Sequence, residues 1–178
     1  LWSKMGSFFI LLGYMGCGKS ELGKKISISR SIPFIDLDHF IEEKEKSSIS
    51  SIFKDHGELY FRKKERFYLE TLFESDNDAV ISLGGGTPCY YDNMDFINSF
   101  KRKTTVYLRT TPKELTKRLF DQRSQRPMIS HHETSDALLE FISKHLFERI
   151  FYYLKADKQL ITDGKTTDQL LDEFNCLA

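Results

Sequence analysis

A chain of 178 residues is long enough for one domain with a sizeable core and short for two, so a single fold over residues 1–178 is expected. Its 26 Lys and Arg balance its 26 Asp and Glu, which gives no electrostatic reason for a nucleic-acid or membrane partner. Cys17, Cys89 and Cys176, odd in number and far apart, suit neither a disulfide framework nor a metal-ligand spacing and predict a reducing, cytoplasmic setting.

Lys4 precedes the apolar run FFILL, but that run is short and leads into a glycine loop instead of a small-residue cleavage site, which argues against a targeting segment. Leu1–Lys4 reads as an upstream extension ahead of Met5. No stretch approaches the roughly 18 apolar residues of a membrane span.

In chain order, Phe8–Leu12 reads as a first strand, and Gly13-Tyr-Met-Gly16-Cys17-Gly18-Lys19-Ser20 follows it directly, opening a helix over Lys19–Ser29. This is a full strand, G-x-x-x-x-G-K-[ST], helix pattern. Its glycines let the backbone curl around phosphates with N–H groups inward, and the helix adds the partial positive charge of its N-terminus. Lys19 then reaches the β and γ phosphates of a nucleoside triphosphate, and the Ser20 hydroxyl can ligate Mg²⁺. Cys17 reads as a small residue packed in the turn.

A second strand, Ile32–Asp36, ends in Asp36-Leu37-Asp38. Both carboxylates can face the phosphate site, one holding magnesium waters and the other taking a proton from an attacking hydroxyl. Alternatively Asp38 caps the helix that starts HFIEEK. Spacing leaves the two open. Gly57-Glu58-Leu59-Tyr60-Phe61-Arg62 opens a helix over Glu58–Phe73, in which Arg66 reads as a surface residue, as does Arg102 later.

The third strand, Ala79–Leu83, ends in Ser82-Leu83-Gly84-Gly85-Gly86 without the aspartate that many phosphate-loop enzymes place there for magnesium, which moves that duty toward Asp36. Three successive glycines also let a ligand approach the main chain. A fourth strand over Thr105–Arg109 and a helix over Pro112–Asp121 lead to residues 122–134, which lack apolar periodicity and read as a mobile loop. Ser135–Leu154 reads as a long helix with Leu138, Ile142, Leu146 and Ile150 on one stripe and Arg149 near it. A fifth strand, Gln159–Thr162, and a helix over Thr167–Phe174 complete the chain. Strands alternating with helices predict an α/β fold of right-handed βαβ units, a parallel sheet layered between helices, with ligands at the strands' carboxyl ends. His39, His56, His131, His132 and His145 form no metal constellation and read as surface or capping residues.

The ordered set of phosphate loop, Asp-x-Asp, Gly-Glu-x-x-Phe-Arg, triple glycine and Arg126-Pro127-Met128 resembles the shikimate kinases from Phe9 to about Phe174. The resemblance implies a nucleoside-monophosphate-kinase-like three-layer sandwich with a five-stranded parallel sheet of order 2-3-1-4-5. It also implies a substrate-binding helical region over about 38–75 and a lid over about 122–134. By position, Gly13, Gly16, Cys17, Gly18, Lys19, Ser20 and Glu21 correspond to the residues that bind ATP. Ser20 and Asp36, the latter through water and supported by Ser82, correspond to the Mg²⁺ residues. Asp38 corresponds to the substrate-binding base. Arg62 and Arg149, with the N–H groups of Gly84, Gly85 and Gly86, correspond to the shikimate site; Arg126 corresponds to the lid arginine, and Arg118, displaced by about one residue, to the arginine stacked on adenine.

The sequence departs from the family pattern at Glu21, where threonine is usual, and at Phe151, where proline is usual, while Tyr153 is retained. The implied activity is transfer of the ATP γ-phosphoryl to the 3-hydroxyl of shikimate; a monomer is the default for a short enzyme whose apolar residues are accounted for by helices and strands. Alternative readings are a gluconate-type or other small-metabolite kinase of the same fold, or a nucleotide-binding module without turnover.

Overall fold

A computed structural model describes residues 7–75 and 77–177; the upstream residues Leu1–Lys4 lie outside them. Five strands, β1 (Phe8–Leu12), β2 (Phe34–Asp36), β3 (Ala79–Ser82), β4 (Lys103–Arg109) and β5 (Lys158–Ile161), form one parallel sheet in the order β2-β3-β1-β4-β5. Among the described residues seven helices connect and cover them: α1 (Lys19–Arg30), α2 (Leu37–Glu45), α3 (Ile49–Phe73), α4 (Asn93–Ser99), α5 (Pro112–Phe120), α6 (Ser135–Tyr153) and α7 (Thr167–Leu177). The order matches the expected one. Ile10, Leu11, Val80, Ile81, Val106 and Leu108 are fully buried, as central parallel strands covered on both faces require. None of these helices is long and apolar enough to cross a membrane.

Element ends move for identifiable reasons. β2 starts at Phe34, since Pro33 has no N–H to give the ladder and contributes only its carbonyl, to the Val80 N–H at 2.9 Å. β4 starts two residues early because Asp157 gathers Lys103 at 2.7 Å and the Thr105 N–H at 2.8 Å. The helix expected from Glu58 runs on from Ile49, capped by the Ser48 hydroxyl on the Ser51 N–H at 3.1 Å, and breaks at Gly57, whose φ of 81° and ψ of 171° suit glycine. α4 has no counterpart among the predicted elements, its seven residues being too few for periodicity to show.

The cap of α2 answers the question left open at Asp36-Leu37-Asp38. The helix begins at Leu37 and its cap is Asp36, which accepts from the His39 N–H at 3.4 Å. Asp38 therefore falls in the first turn, with its side chain free for the site. The 122–134 segment is more ordered than a plain loop: Arg123–Gln125 forms a 3₁₀ turn and Ile129 is fully buried.

Candidate active site

The loop between β1 and α1 has the left-handed glycines that its motif demands, with φ of 145°, 77° and 97° at Gly13, Gly16 and Gly18. Lys19 folds back over it, Nζ donating to the carbonyls of Gly13 at 2.8 Å and Tyr14 at 3.0 Å. Cys17 is fully buried in the turn, and a Cβ placed on Gly13 would come within 2.9 Å of its Sγ. The Ser20 hydroxyl donates to Asp36 Oδ2 at 2.8 Å, and the parallel register puts Asp36 beside Ser82. A hydroxyl held by a carboxylate, with a second hydroxyl alongside at the strands' carboxyl ends, is an all-oxygen donor set that fits Mg²⁺. Glu21 turns toward α7, where the Thr167 hydroxyl donates to its Oε1.

Two adjoining cavities open at this edge. One, of about 370 Å³, is lined by the phosphate loop with Asp36, Ser82 and Gln122. The other, of about 220 Å³, is lined by Phe53, Phe61, Arg62, Glu65, Gly86 and Arg149 among others. Met15, Asp38, Gly84, Gly85 and Arg126 line both. Asp38 stands at the junction. Burial pushes its carboxyl up to about 6, helped by the negative charges of Glu65 and Asp36 and opposed by Lys19 and Arg62.

The triple glycine is explained by close approach. A Cβ on Gly84 would lie 2.7 Å from Asp38 Oδ1, and one on Gly86 would lie 2.8 Å from Arg62 Nη2. Tyr153, fully buried, donates its hydroxyl to the Gly85 carbonyl at 2.6 Å.

Arg62 and Arg149 of the smaller cavity differ. Arg62 is already engaged: Nη1 donates to the buried Glu65 at 2.9 Å, Nη2 reaches Glu58 at 3.3 Å, and the guanidinium lies over the Tyr90 ring at 3.8 Å from its centre. Burial opposes its charge, but Glu65, Tyr90 and Glu58 together outweigh this and hold its pKa up. Arg149 and Arg126 make no salt bridge among the described residues. Arg118 is held by Glu114 at 2.8 Å and the Thr162 carbonyl at 3.2 Å, away from both cavities.

Sequence reading missed Glu65. Its Oε1 accepts from the Thr87 hydroxyl at 2.6 Å, so one carboxylate joins Arg62 to the turn after the glycines. The available signal was an acid three residues after an arginine on a helix. Arg66 departs from the surface expectation: it donates to Glu70 at 2.6 Å and Asp92 at 2.7 Å and lies over Phe96. His132 and His145 are likewise packed among rings instead of free on the surface.

A family model described as shikimate kinase matches residues 15–176. A shikimate kinase of Flavobacterium johnsoniae is 42% identical over 165 residues, which is 93% of this chain and 95% of that protein. Among solved structures, a shikimate kinase of Bacteroides thetaiotaomicron superposes with a TM-score of 0.84 at 35% identity, over 96% of this chain and 97% of that one. One from Acinetobacter baumannii in complex with shikimate does so with a TM-score of 0.82 at 27% identity, over 98% and 93%. Agreement of sequence and topology over nearly the whole length places this chain in the shikimate kinase family, enzymes that use ATP with Mg²⁺ to phosphorylate the 3-hydroxyl of shikimate in aromatic amino-acid biosynthesis.

Proposed function

We propose that the two cavities divide the reaction between them, the larger taking the nucleotide and the smaller taking shikimate, with Asp38 as the base where they meet. The observation that carries this assignment is the position of Asp38, which lines both cavities and has Lys19 and Arg62 close enough to temper its raised pKa. A carboxylate that titrates near 6 is ionised at neutral pH and is a stronger base than a solvated one.

In this reading the N–H groups of the loop and Lys19 cradle the phosphates, and Arg149 with Arg62 grips the substrate carboxylate bidentately. Ser20 and, through water, Asp36 would hold Mg²⁺, which when bound neutralises charge on the phosphates. The 3-hydroxyl oxygen forms its bond to the γ-phosphorus while the bond to ADP breaks, and its proton passes to Asp38. Positioning and charge neutralisation do most of the work, because the transition state is loose. Arg126 approaches the transferring group as residues 122–134 close and exclude water.

The enzyme is read as cytoplasmic from its scattered cysteines, as acting on a small molecule from its balanced charge, and as a monomer as the default for a short chain whose apolar runs are accounted for by strands and helices. The decisive experiment is Asp38→Asn assayed for ADP release. We expect kcat to fall about 10²- to 10⁴-fold, the usual worth of a positioned base, with both KM values little changed. Turnover within a few fold of wild type would remove Asp38 from that role.

A further inference from the structure

Beside its core stripe, α6 carries a second one. Phe141, His145, Arg149 and Tyr153 follow one another at intervals of four and so share a face. Each touches a different part of the site. Tyr153 holds the Gly85 carbonyl at 2.6 Å, Arg149 lines the acceptor cavity, and His145 Nδ1 lies 2.8 Å from the Tyr14 hydroxyl. Phe141 packs on His145 with ring centres 5.2 Å apart and on His132 of the 122–134 segment at 4.7 Å.

Tyr14 is the link to the nucleotide side. Its carbonyl accepts from Lys19 Nζ at 3.0 Å, so the residue whose ring is tethered to α6 also helps to hold the phosphate lysine. The side chain is 1% exposed, and a hydroxyl buried to that degree requires a partner. His145 supplies it, with the two rings edge to face at 87°. Burial pushes the phenol up to about 12, opposed by Arg149, so it stays a donor. His145 is held below the usual imidazole range by burial and by Arg149, against Glu148 on the same helix, so the neutral ring can accept at Nδ1.

We propose that His145 is a positioning residue: by anchoring Tyr14 it clamps the phosphate loop to the helix that carries Arg149, and so holds the nucleotide and acceptor subsites at a fixed separation. The proposal rests on the assignment of the two cavities made above. Neither His145 nor Tyr14 touches substrate in it.

The test compares Tyr14→Phe, His145→Leu, the double variant and His145→Asn with wild type, measuring both KM values and kcat alongside far-UV circular dichroism and Tm. Loss of one buried hydrogen bond should raise both the ATP and the shikimate KM about three- to tenfold in either single variant. The double variant should lose no more than the worse single, because the two act through one bond. His145→Asn, which can place its amide oxygen near where Nδ1 was, should return both constants to within about twofold of wild type.

Losses that add in the double variant, no rescue by asparagine, or a lowered Tm with both KM values intact would each overturn the proposal. The last would make His145 a packing residue only. If His145→Leu does not fold, Tyr14→Phe and His145→Asn still decide it, since a Tyr14→Phe enzyme with wild-type KM values leaves no role for the bond. Turnover within a few fold of wild type in Asp38→Asn would sink the cavity assignment and leave this bond standing, so the two failures are distinguishable.

Discussion

In the reading proposed above, the nucleotide side centres on eight consecutive residues, Gly13 to Ser20, in the loop after β1 and the first residues of α1, whereas the acceptor side draws Asp38, Arg62, Glu65, Gly84–Gly86 and Arg149 from α2, α3, the turn after β3 and α6. The first rests mainly on backbone: left-handed glycines that few other residues could replace. The second works through side chains that constrain one another, as where Glu65 holds both Arg62 and Thr87, and Gly84 and Gly86 leave room for Asp38 and Arg62. A contiguous site takes its shape from one stretch of chain, while an assembled one transmits any change among its members.

The largest effect should come from the contiguous half. Removing its one cation with Lys19→Met should lower kcat/KM for ATP by about 10²- to 10³-fold, the usual worth of a charge-stabilising donor. Shikimate binding by calorimetry should stay within about twofold of wild type, since Lys19 faces the other cavity. A large loss of shikimate affinity would show that the two halves are one unit.

Arg62→Lys should act on the assembled half alone. It keeps the charge but loses the fork shared with Glu65 and Glu58, so the shikimate KM should rise roughly 10- to 100-fold while the ATP KM holds. A smaller response is tied to pH. With Asp38 at about 6, kcat/KM should fall about tenfold per pH unit below 6, and this limb should vanish in Asp38→Asn. The stability consequence has the opposite sign. The folded pKa lies above the usual 3.8, so ionising Asp38 opposes folding, and stability present below pH 4 is lost as pH rises through 6. Asp38→Asn should therefore be the more stable protein above pH 6, by on the order of 2 kcal/mol in chemical denaturation, with the difference gone near pH 4.

The smallest expected effect is at Glu21, where the family has threonine. Glu21→Thr frees the position from its bond to Thr167 and restores a hydroxyl facing the α-phosphate, so the ATP KM should drop about two- to threefold. An unchanged value would mean that the contiguous half is insensitive even to its own flank.

The stripe on α6 shows where sequence reading stops. Leu138, Ile142 and Leu146 were legible as core because burial follows the helix period, and all three are buried. His145, one position over on the same helix, reads as a surface or capping residue, and Tyr153 only as a retained family position. Nothing local marks the hydroxyl of Tyr14, 131 residues upstream, as the partner of His145. Arg62 was found through the family pattern, but that Glu65 already occupies part of its fork was not, because only the packing of α3 against the turn after β3 puts Thr87 on the other oxygen.

The sequence by itself determined the phosphate loop, the five strands and their parallel arrangement, and the family, since each is written in short spacings: a motif of eight residues, apolar runs of a few, a period of four. Only the tertiary structure decided that Asp36 caps α2 and leaves Asp38 to the cavities, that Arg62 is shared with acids while Arg149 makes no salt bridge among the described residues, and that Tyr14 is tied to α6. Local conformation depends on neighbours in the chain, which spacing records. Which distant side chains meet depends on how closely two elements pack, a fraction of an ångström in the case of Gly84, and no spacing records that.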